Sequence, residues 1–195
     1  MIDTLRQLAA APLLVLALAA APAAAGEAGG VRFDERTTVA GDTLTLNGAG
    51  VRTRLMFKVY AMGLYLPART GDAATALATT GARRLHLVLL RDLEAAQFAD
   101  ALIDGLANNH GSAQLTALQP AIDSLRATLL ALGKAPKGTV VQLDAVAGGT
   151  RLSINGQPRG ADIADTALFP ALMRIWLGDQ PADAELKRAL LGAGD

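Results

Sequence analysis

The chain has 195 residues, 51% of them hydrophobic, and its 18 basic and 18 acidic residues leave a net charge of zero. This composition argues against a disordered chain, and the lack of a basic excess argues against a nucleic-acid-binding protein. Cysteine is absent, which excludes thiol nucleophiles, cysteine-based metal sites and covalently attached haem.

The first 25 residues have the order of a secretory signal peptide. A short segment with Arg6 precedes the apolar run LAAAPLLVLALAA, and small residues follow it. The run is short and rich in alanine for a transmembrane helix, so we expect cleavage near Ala25 and a periplasmic or secreted protein. An uncleaved N-terminal anchor is the alternative. Residues 26–195 are long enough to bury a core as one domain.

The first half of the mature chain reads mostly as strands. Turn residues predict two short strands around Gly41-Asp42 and a second turn at Asn47-Gly48, and Gly48-Ala49-Gly50 indicates a tight turn. Residues 54–66 are apolar and aromatic enough for one long strand that ends at Pro67. A modest helix over 72–80 and a short strand over 83–91 should follow.

The second half reads as helices around a hairpin. Apolar spacing predicts one helix within 92–111 and another within 112–133, where Pro120 should cause a kink or break. Residues 137–156 predict an antiparallel hairpin turning at 147–149, and the tail reads as two helices separated by 178–181. This order predicts an α+β domain with an antiparallel sheet covered on one face by helices.

The residues that usually carry catalysis or metals form no recognisable pattern. His86 and His110 are the only histidines, and neither belongs to a metalloprotease spacing. In a strand, His86 is better read as a packed residue than as a ligand. We therefore expect no metal and no cofactor, and we assign no catalytic residue.

One face of the predicted strand 54–66 mixes polar and apolar groups. Side chains alternate along a strand, so the even positions share a face. That face holds Arg54, Met56, Lys58, Tyr60, Met62, Leu64 and Leu66. Such a lining suits a ligand with an anionic head and an apolar body; the alternative is a solvent-facing edge with snorkelling bases. The pattern leaves open whether Arg54 and Lys58 face solvent or the anion.

Two motifs carry a resemblance to a known family. NGAGVRTRLMFKVYAMGLYLP near the start and IWLGDQPADAELKRALLG near the end together resemble the chalcone isomerase-like family, in its bacterial exported branch. The resemblance covers about residues 31–192. It implies an open-faced β-sandwich, in which a large antiparallel sheet is covered by a layer of helices and a ligand cleft lies between them.

The resemblance also implies roles for individual residues. Arg52 corresponds to the arginine that ligand-binding members use, and Tyr60 stands where the fatty-acid binders have a tyrosine and the enzymes a catalytic threonine. Phe98 and Gly105 replace the enzymes' catalytic tyrosine and substrate-binding asparagine. Ile175 replaces a threonine that contacts substrate.

These replacements favour binding over ring closure. We expect a non-catalytic protein that holds a small amphipathic ligand such as a fatty acid, and whether it contacts a membrane is left open. The predicted ligand-binding residues are Arg52, Tyr60, Met56, Met62, Phe98, Leu102, Gly105 and Ile175. One alternative is an intramolecular lyase acting on a phenolic enone, with Arg52 stabilising an oxyanion and Tyr60 as acid. Another is an envelope or interaction protein with a remnant cleft. Trp176 is expected to be a core residue.

Overall fold

The computed structural model describes residues 24–192, which form eleven strands and five helices. The strands are β1 (Ala24–Ala28), β2 (Val31–Asp34), β3 (Arg36–Val39), β4 (Asp42–Arg54), β5 (Phe57–Leu66), β6 (Arg83–Leu89), β7 (Leu93–Glu94), β8 (Lys134–Ala135), β9 (Val140–Val146), β10 (Gly149–Ile154) and β11 (Gln157–Pro158). The helices are α1 (Ala73–Ala78), α2 (Ala95–Asn109), α3 (Ser112–Leu130), α4 (Leu168–Leu177) and α5 (Ala184–Leu190). Apart from Ala24 and Ala25, the predicted signal peptide lies outside the described residues.

Seven strands form one antiparallel sheet in the order β11-β10-β9-β6-β5-β4-β3. Neighbouring strands are joined by short turns or by the helices, as antiparallel pairing allows. Two further pairs, β1-β2 and β7-β8, stand apart from this sheet. The predicted α+β class, with a large antiparallel sheet and a helical layer, is confirmed.

The larger core lies between this sheet and the helices. It contains the even-numbered residues of β5 from Tyr60 to Leu66, the three leucines of β6, and the apolar faces of α2, α3 and α4. Eight of the ten residues of α4 are buried, which makes it the central helix of the layer. Among residues 24–192, no helix combines the length and the hydrophobicity needed to cross a membrane.

The other face of the sheet carries a second, smaller core. Phe33 from β2 packs there with Leu44, Ala61 and Tyr65. His86 lies in this layer, its ring 5.5 Å from the ring of Phe33 in an edge-to-face contact. It is a packed residue, as predicted. The β1-β2 pair thus buries apolar side chains that would otherwise face water.

The predicted turns at Asn47-Gly48 and Gly48-Ala49-Gly50 are wrong, because β4 runs unbroken through both. A bulge at Asn47 shifts the register with β5, and the buried Asn47 amide donates to the carbonyls of Thr70 and Leu190. The glycines let α5 approach β4. A Cβ on Gly48 would lie 2.1 Å from the Ala189 carbonyl oxygen, so no other residue fits there.

The strand predicted over 54–66 begins at Phe57 instead. Residues 54–57 form the turn of the β4-β5 hairpin, with Arg54 opposite Phe57. Leu55 has φ = 57°, in the left-handed region that glycine or asparagine usually occupies. The turn was missed because its two central residues, Leu55 and Met56, carry no turn signal.

The remaining predicted helices and strands lie where they were expected. Helix α1 begins after Asp72, whose carboxylate accepts from the Thr75 amide at 2.7 Å. Helix α3 passes through Pro120 as one continuous helix, so the predicted break is absent. Pro120 is exposed, and water can therefore satisfy the carbonyl that loses its partner. The hairpin β9-β10 and the two C-terminal helices form where expected.

Candidate functional site

Arg52 and Tyr60 lie directly opposite each other in the β4-β5 pair. Residues paired in this way point to the same face of an antiparallel sheet. The pairs Gly48–Leu64 and Gly50–Met62 precede them on the same face, and Leu64 and Met62 belong to the larger core. Both polar heads therefore point to the side of the sheet that the helices cover.

The hydroxyl of Tyr60 is buried and accepts one hydrogen bond. Trp176 on α4 donates from its indole nitrogen to the Tyr60 oxygen at 2.8 Å, and Tyr60 is only 5% exposed. Burial raises the pKa of Tyr60 to about 12 despite the opposing effect of nearby Arg52, so the phenol keeps its proton at neutral pH. Within residues 24–192, the hydroxyl donates no hydrogen bond of its own.

The guanidinium of Arg52 is half-buried beneath the start of α5. One of its nitrogens donates to the carbonyl of Ala182. The next residue along β4, Thr53, donates its amide to the Asp183 carboxylate at 3.0 Å, and Asp183 caps α5 through the amides of Glu185 and Leu186. Arg52 therefore lies where hydrogen bonds connect β4 to the N-terminus of α5.

The predicted apolar residues gather beside this polar pair. Phe98 on α2 meets the Tyr60 ring edge-to-face, with centroids 6.5 Å apart. Leu102 lies one turn further along α2 and is buried, as are Met62 on β5 and Ile175 on α4. These four residues, together with Tyr60, belong to one core cluster between the sheet and the helices.

Gly105 on α2 lies directly against Ile175 on α4. A Cβ at Gly105 would lie 2.7 Å from Cγ2 of Ile175, closer than carbon atoms can pack. The missing side chain therefore lets the two helices touch. This contact gives Gly105 a packing role that the sequence did not indicate.

Met56 is not brought to this group. It lies at the turn of the β4-β5 hairpin and is 90% exposed. The even-face alternation that placed Met56 beside Tyr60 fails because the register with β4 shifts between Arg52 and Thr53 and because β5 begins only at Phe57. Arg54 and Lys58 are exposed as well. They therefore face solvent, which strand alternation alone could not decide.

A surface pocket of about 500 Å³ lies elsewhere, at the far end of β6. Arg83 lines it and is only 6% exposed. Arg83 lies six positions before Leu89 on β6, and Leu89 pairs with Tyr60, so the pocket lies about 20 Å from the tyrosine. The Arg83 guanidinium lies 5.0 Å from the Phe169 ring centroid and its Nε donates to the Gly81 carbonyl at 3.1 Å. No carboxylate in residues 24–192 pairs with it.

Trp176 is the residue whose contribution to the site the sequence did not reveal. It is buried in the core, as expected. Its indole also fixes the position of the Tyr60 oxygen, and no pattern in the sequence links residues 116 positions apart. In the described part of the chain no three histidine, aspartate or glutamate side chains cluster in a way that could hold a metal ion.

Comparisons with known proteins agree on the fold. No curated protein matches the sequence of this chain. Among solved structures, a fatty-acid-binding protein from Arabidopsis thaliana is similar, with a TM-score of 0.62 and 17% sequence identity. The match covers 84% of this chain and 93% of the plant chain. A family model described as chalcone isomerase-like matches residues 25–192. The chain therefore belongs to the chalcone isomerase-like family.

Proposed function

We propose that the chain binds a fatty acid or a similar amphipathic carboxylate and does not act on it chemically. The carboxylate lies between Arg52 and Tyr60, and the apolar body extends between the sheet and helices α2 and α4. The similar plant structure is that of a fatty-acid-binding protein, which supports this choice of ligand.

One observation carries the proposal. The Tyr60 hydroxyl is buried, accepts from Trp176, and has no acceptor for its own proton among the described residues. A buried donor without a partner is costly. A ligand carboxylate would accept that proton and pair with the neighbouring Arg52, which has donors beyond the one bonded to Ala182.

The apolar residues supply the larger part of the binding energy. Each buried methylene contributes roughly 0.8 kcal/mol, so a chain of about ten contributes on the order of 8 kcal/mol before ordering costs. Phe98, Leu102 and Ile175 are packed against their neighbours. An entering chain must therefore separate α2 from α4, which makes the contact of Gly105 with Ile175 part of the entry route.

The chemistry beside Tyr60 suits binding better than ring closure. Phe98, whose ring meets that of Tyr60 edge-to-face, has no proton to give or take. With its pKa raised to about 12, Tyr60 is not a phenolate base at neutral pH. Both features favour anion binding by Arg52 and Tyr60 over proton transfer.

A titration with a fluorescent fatty acid tests the proposal. We expect Arg52→Ala to weaken binding about tenfold or more and Tyr60→Phe about threefold to tenfold, as lost charged and neutral hydrogen bonds do. Arg54→Ala, an exposed change on the same strand, is the matched control and should leave the affinity unchanged.

Two further arms of the experiment separate the rival interpretations. If Arg83→Leu abolishes binding while Arg52→Ala does not, the ligand lies in the distant pocket and the proposed site is wrong. If the protein accelerates chalcone ring closure and Arg52→Ala removes that activity, the chain is an isomerase.

We also propose that the chain is exported, with its mature N-terminus at Gly26. The order of the first 25 residues supports export. Strand β1 begins at Ala24, so cleavage after Ala25 leaves Gly26, Glu27 and Ala28 paired with β2. Mass spectrometry of the N-terminal peptide from separated cell fractions tests both statements; an intact Met1 peptide in the cytoplasmic fraction would contradict them.

A further inference from the structure

The turn of the β4-β5 hairpin exposes three consecutive apolar side chains. Leu55 is 89% exposed, Met56 90% and Phe57 57%. Single exposed apolar residues are common, but a contiguous group on a projecting turn marks an interaction surface. We call Leu55, Met56 and Phe57 the hairpin tip.

Neither the geometry of the turn nor packing in the core explains why these three residues are apolar. Leu55 adopts φ = 57°, a conformation that a branched side chain disfavours and that glycine or asparagine would take more easily. Its side chain is almost fully exposed. The residue therefore strains the turn without gaining burial in return, which points to a role outside the folded chain.

Basic side chains surround the hairpin tip. Arg54 and Lys58 flank it in sequence and are exposed, and the guanidinium of Arg91 lies 5.2 Å from the centroid of the Phe57 ring. None of the three pairs with a carboxylate in residues 24–192. Asp92, which follows Arg91 in the chain, accepts from the Lys137 amide, and Asp183 accepts from the amide of Thr53, which precedes Arg54.

We propose that the hairpin tip inserts into the surface of a bilayer that contains anionic phospholipids. The apolar side chains would enter the boundary between headgroups and acyl chains, and the three basic residues would contact the phosphates. The net charge of the chain is zero, so this attraction comes from the local group of cations and not from the protein as a whole. A narrow convex turn with an apolar end and a basic rim fits a fluid surface better than a groove or a flat partner.

The hairpin tip also lies close to the candidate ligand site. Tyr60 follows Phe57 by three residues on β5, which is about 10 Å along a strand. Docking would therefore bring the region of Arg52 and Tyr60 to the membrane surface. The inference itself does not rest on the proposed function, because it requires only the exposed tip and its charges.

Vesicle co-sedimentation of the mature chain tests this inference. We expect binding to phosphatidylcholine vesicles that contain phosphatidylglycerol, weaker binding to pure phosphatidylcholine, and a loss of binding as salt is added. A basic residue near an anionic surface contributes about a fivefold gain in affinity, so replacing Arg54, Lys58 and Arg91 by glutamine should lower it on the order of a hundredfold. The matched control replaces Arg36, Arg159 and Arg174, which are exposed elsewhere.

The apolar side chains are tested separately. Leu55→Ser, Met56→Ser and Phe57→Ser in one chain should abolish sedimentation, while Leu130→Ser, at an exposed apolar residue on α3, should not change it. Leu55 and Met56 are almost fully exposed and Phe57 is mostly exposed, so the triple variant should remain folded, with a melting temperature close to that of the parent. Met56→Trp should shift its fluorescence to shorter wavelength when anionic vesicles are added.

Three outcomes would overturn the inference: no sedimentation of the parent chain, undiminished sedimentation of the triple-serine variant, or an unshifted Met56→Trp emission. Self-association that the triple-serine variant loses, without vesicle binding, would assign the tip to a second copy of the chain. Fatty-acid affinity measured in solution should be the same in the parent and the triple-serine variant, so failure of this inference and failure of the proposed function remain distinguishable.

Discussion

Arg52 and Tyr60 are direct partners across the β4-β5 hairpin, and both side chains point beneath the helical layer. The pairing joins a guanidinium that is partly bonded to the chain itself with a phenol that still has a proton to donate. The two groups sit at the edge of an apolar core, so an amphipathic anion can satisfy both the polar pair and the apolar side chains beside it.

The bond between Trp176 and Tyr60 gives the first prediction. Tyr60→Phe removes the oxygen that accepts from the indole and leaves a buried N–H without a partner. We expect the free energy of unfolding to fall by about 1–3 kcal/mol, the cost of an unsatisfied buried donor. Urea denaturation of both proteins measures the difference.

The control for this prediction is the same substitution in a Trp176→Phe chain. No indole donor remains there, so Tyr60→Phe should cost clearly less than it does in the parent. An equal cost in the two backgrounds would mean that the hydrogen bond does not stabilise the fold.

The contact between α2 and α4 gives the second prediction. Gly105→Ala puts a methyl group 2.7 Å from the branched side chain of Ile175, whose stiffness prevents easy adjustment. Overpacking costs about 1–3 kcal/mol, and alanine's better helix propensity returns up to about 1 kcal/mol. We expect thermal denaturation to show a net loss of stability.

Gly71→Ala is the comparison for Gly105. A Cβ at Gly71 would meet nothing nearer than the Leu191 carbonyl oxygen at 3.6 Å, an ordinary contact. This change should be neutral or slightly stabilising. If Gly105→Ala behaved in the same way, the two helices would have room to move apart, and the packing role assigned to Gly105 would be wrong.

The third prediction concerns pH and His86. Burial lowers the pKa of His86 to about 4 from its ordinary value of 6.5, with a further lowering by Arg84. The unfolded chain therefore takes up a proton between about pH 6.5 and pH 4 that the folded chain does not. Stability is fully present above that range and falls as the pH drops through it, by at most about 3 kcal/mol.

His86→Phe removes this proton uptake and keeps a ring between Phe33 and Tyr65. Its free energy of unfolding should fall less between pH 7 and pH 5 than that of the parent, because carboxylates contribute equally to both proteins. Parallel pH profiles of the two proteins would show that His86 is protonated to the same degree in the folded and unfolded chains.

The sequence predicted most of the elements because their signals are local. Asp72 and Asp183 act as caps where helices α1 and α5 begin. Asn155 and Gly156 both take positive φ in the tight turn that follows β10. Such residues determine the backbone conformation of the few residues around them, so their effect can be predicted without knowing the rest of the fold.

The misplaced features depend on contacts between distant segments. Gly48 and Gly50 read as turn residues, yet their small size serves the approach of α5, which lies more than a hundred residues later. The Leu55-Met56 turn has the composition of a strand, so Met56 was placed in the cleft when it lies at the hairpin tip. Strand alternation alone could not reveal the register shift after Arg52.

The candidate site was also predicted only in part, because several of its contacts join segments that are distant in the sequence. Family resemblance identified Arg52 and Tyr60, and the register confirms only that they share a face. Resemblance did not indicate that Trp176 holds the tyrosine oxygen or that Ala182 accepts from the arginine. These partners come from α4 and from the segment before α5, and only tertiary packing brings them to the strand.

The most direct test of the central claim is carbon-13 NMR of a bound fatty acid labelled at its carboxyl carbon. We predict that Arg52→Ala raises the apparent pKa of the bound carboxyl group, because the cation that favours its ionised form is lost. Tyr60→Phe should shift the resonance through the lost hydrogen bond, and Arg54→Ala should leave both quantities unchanged. A bound carboxyl signal whose position and titration are the same in all four proteins would contradict the account.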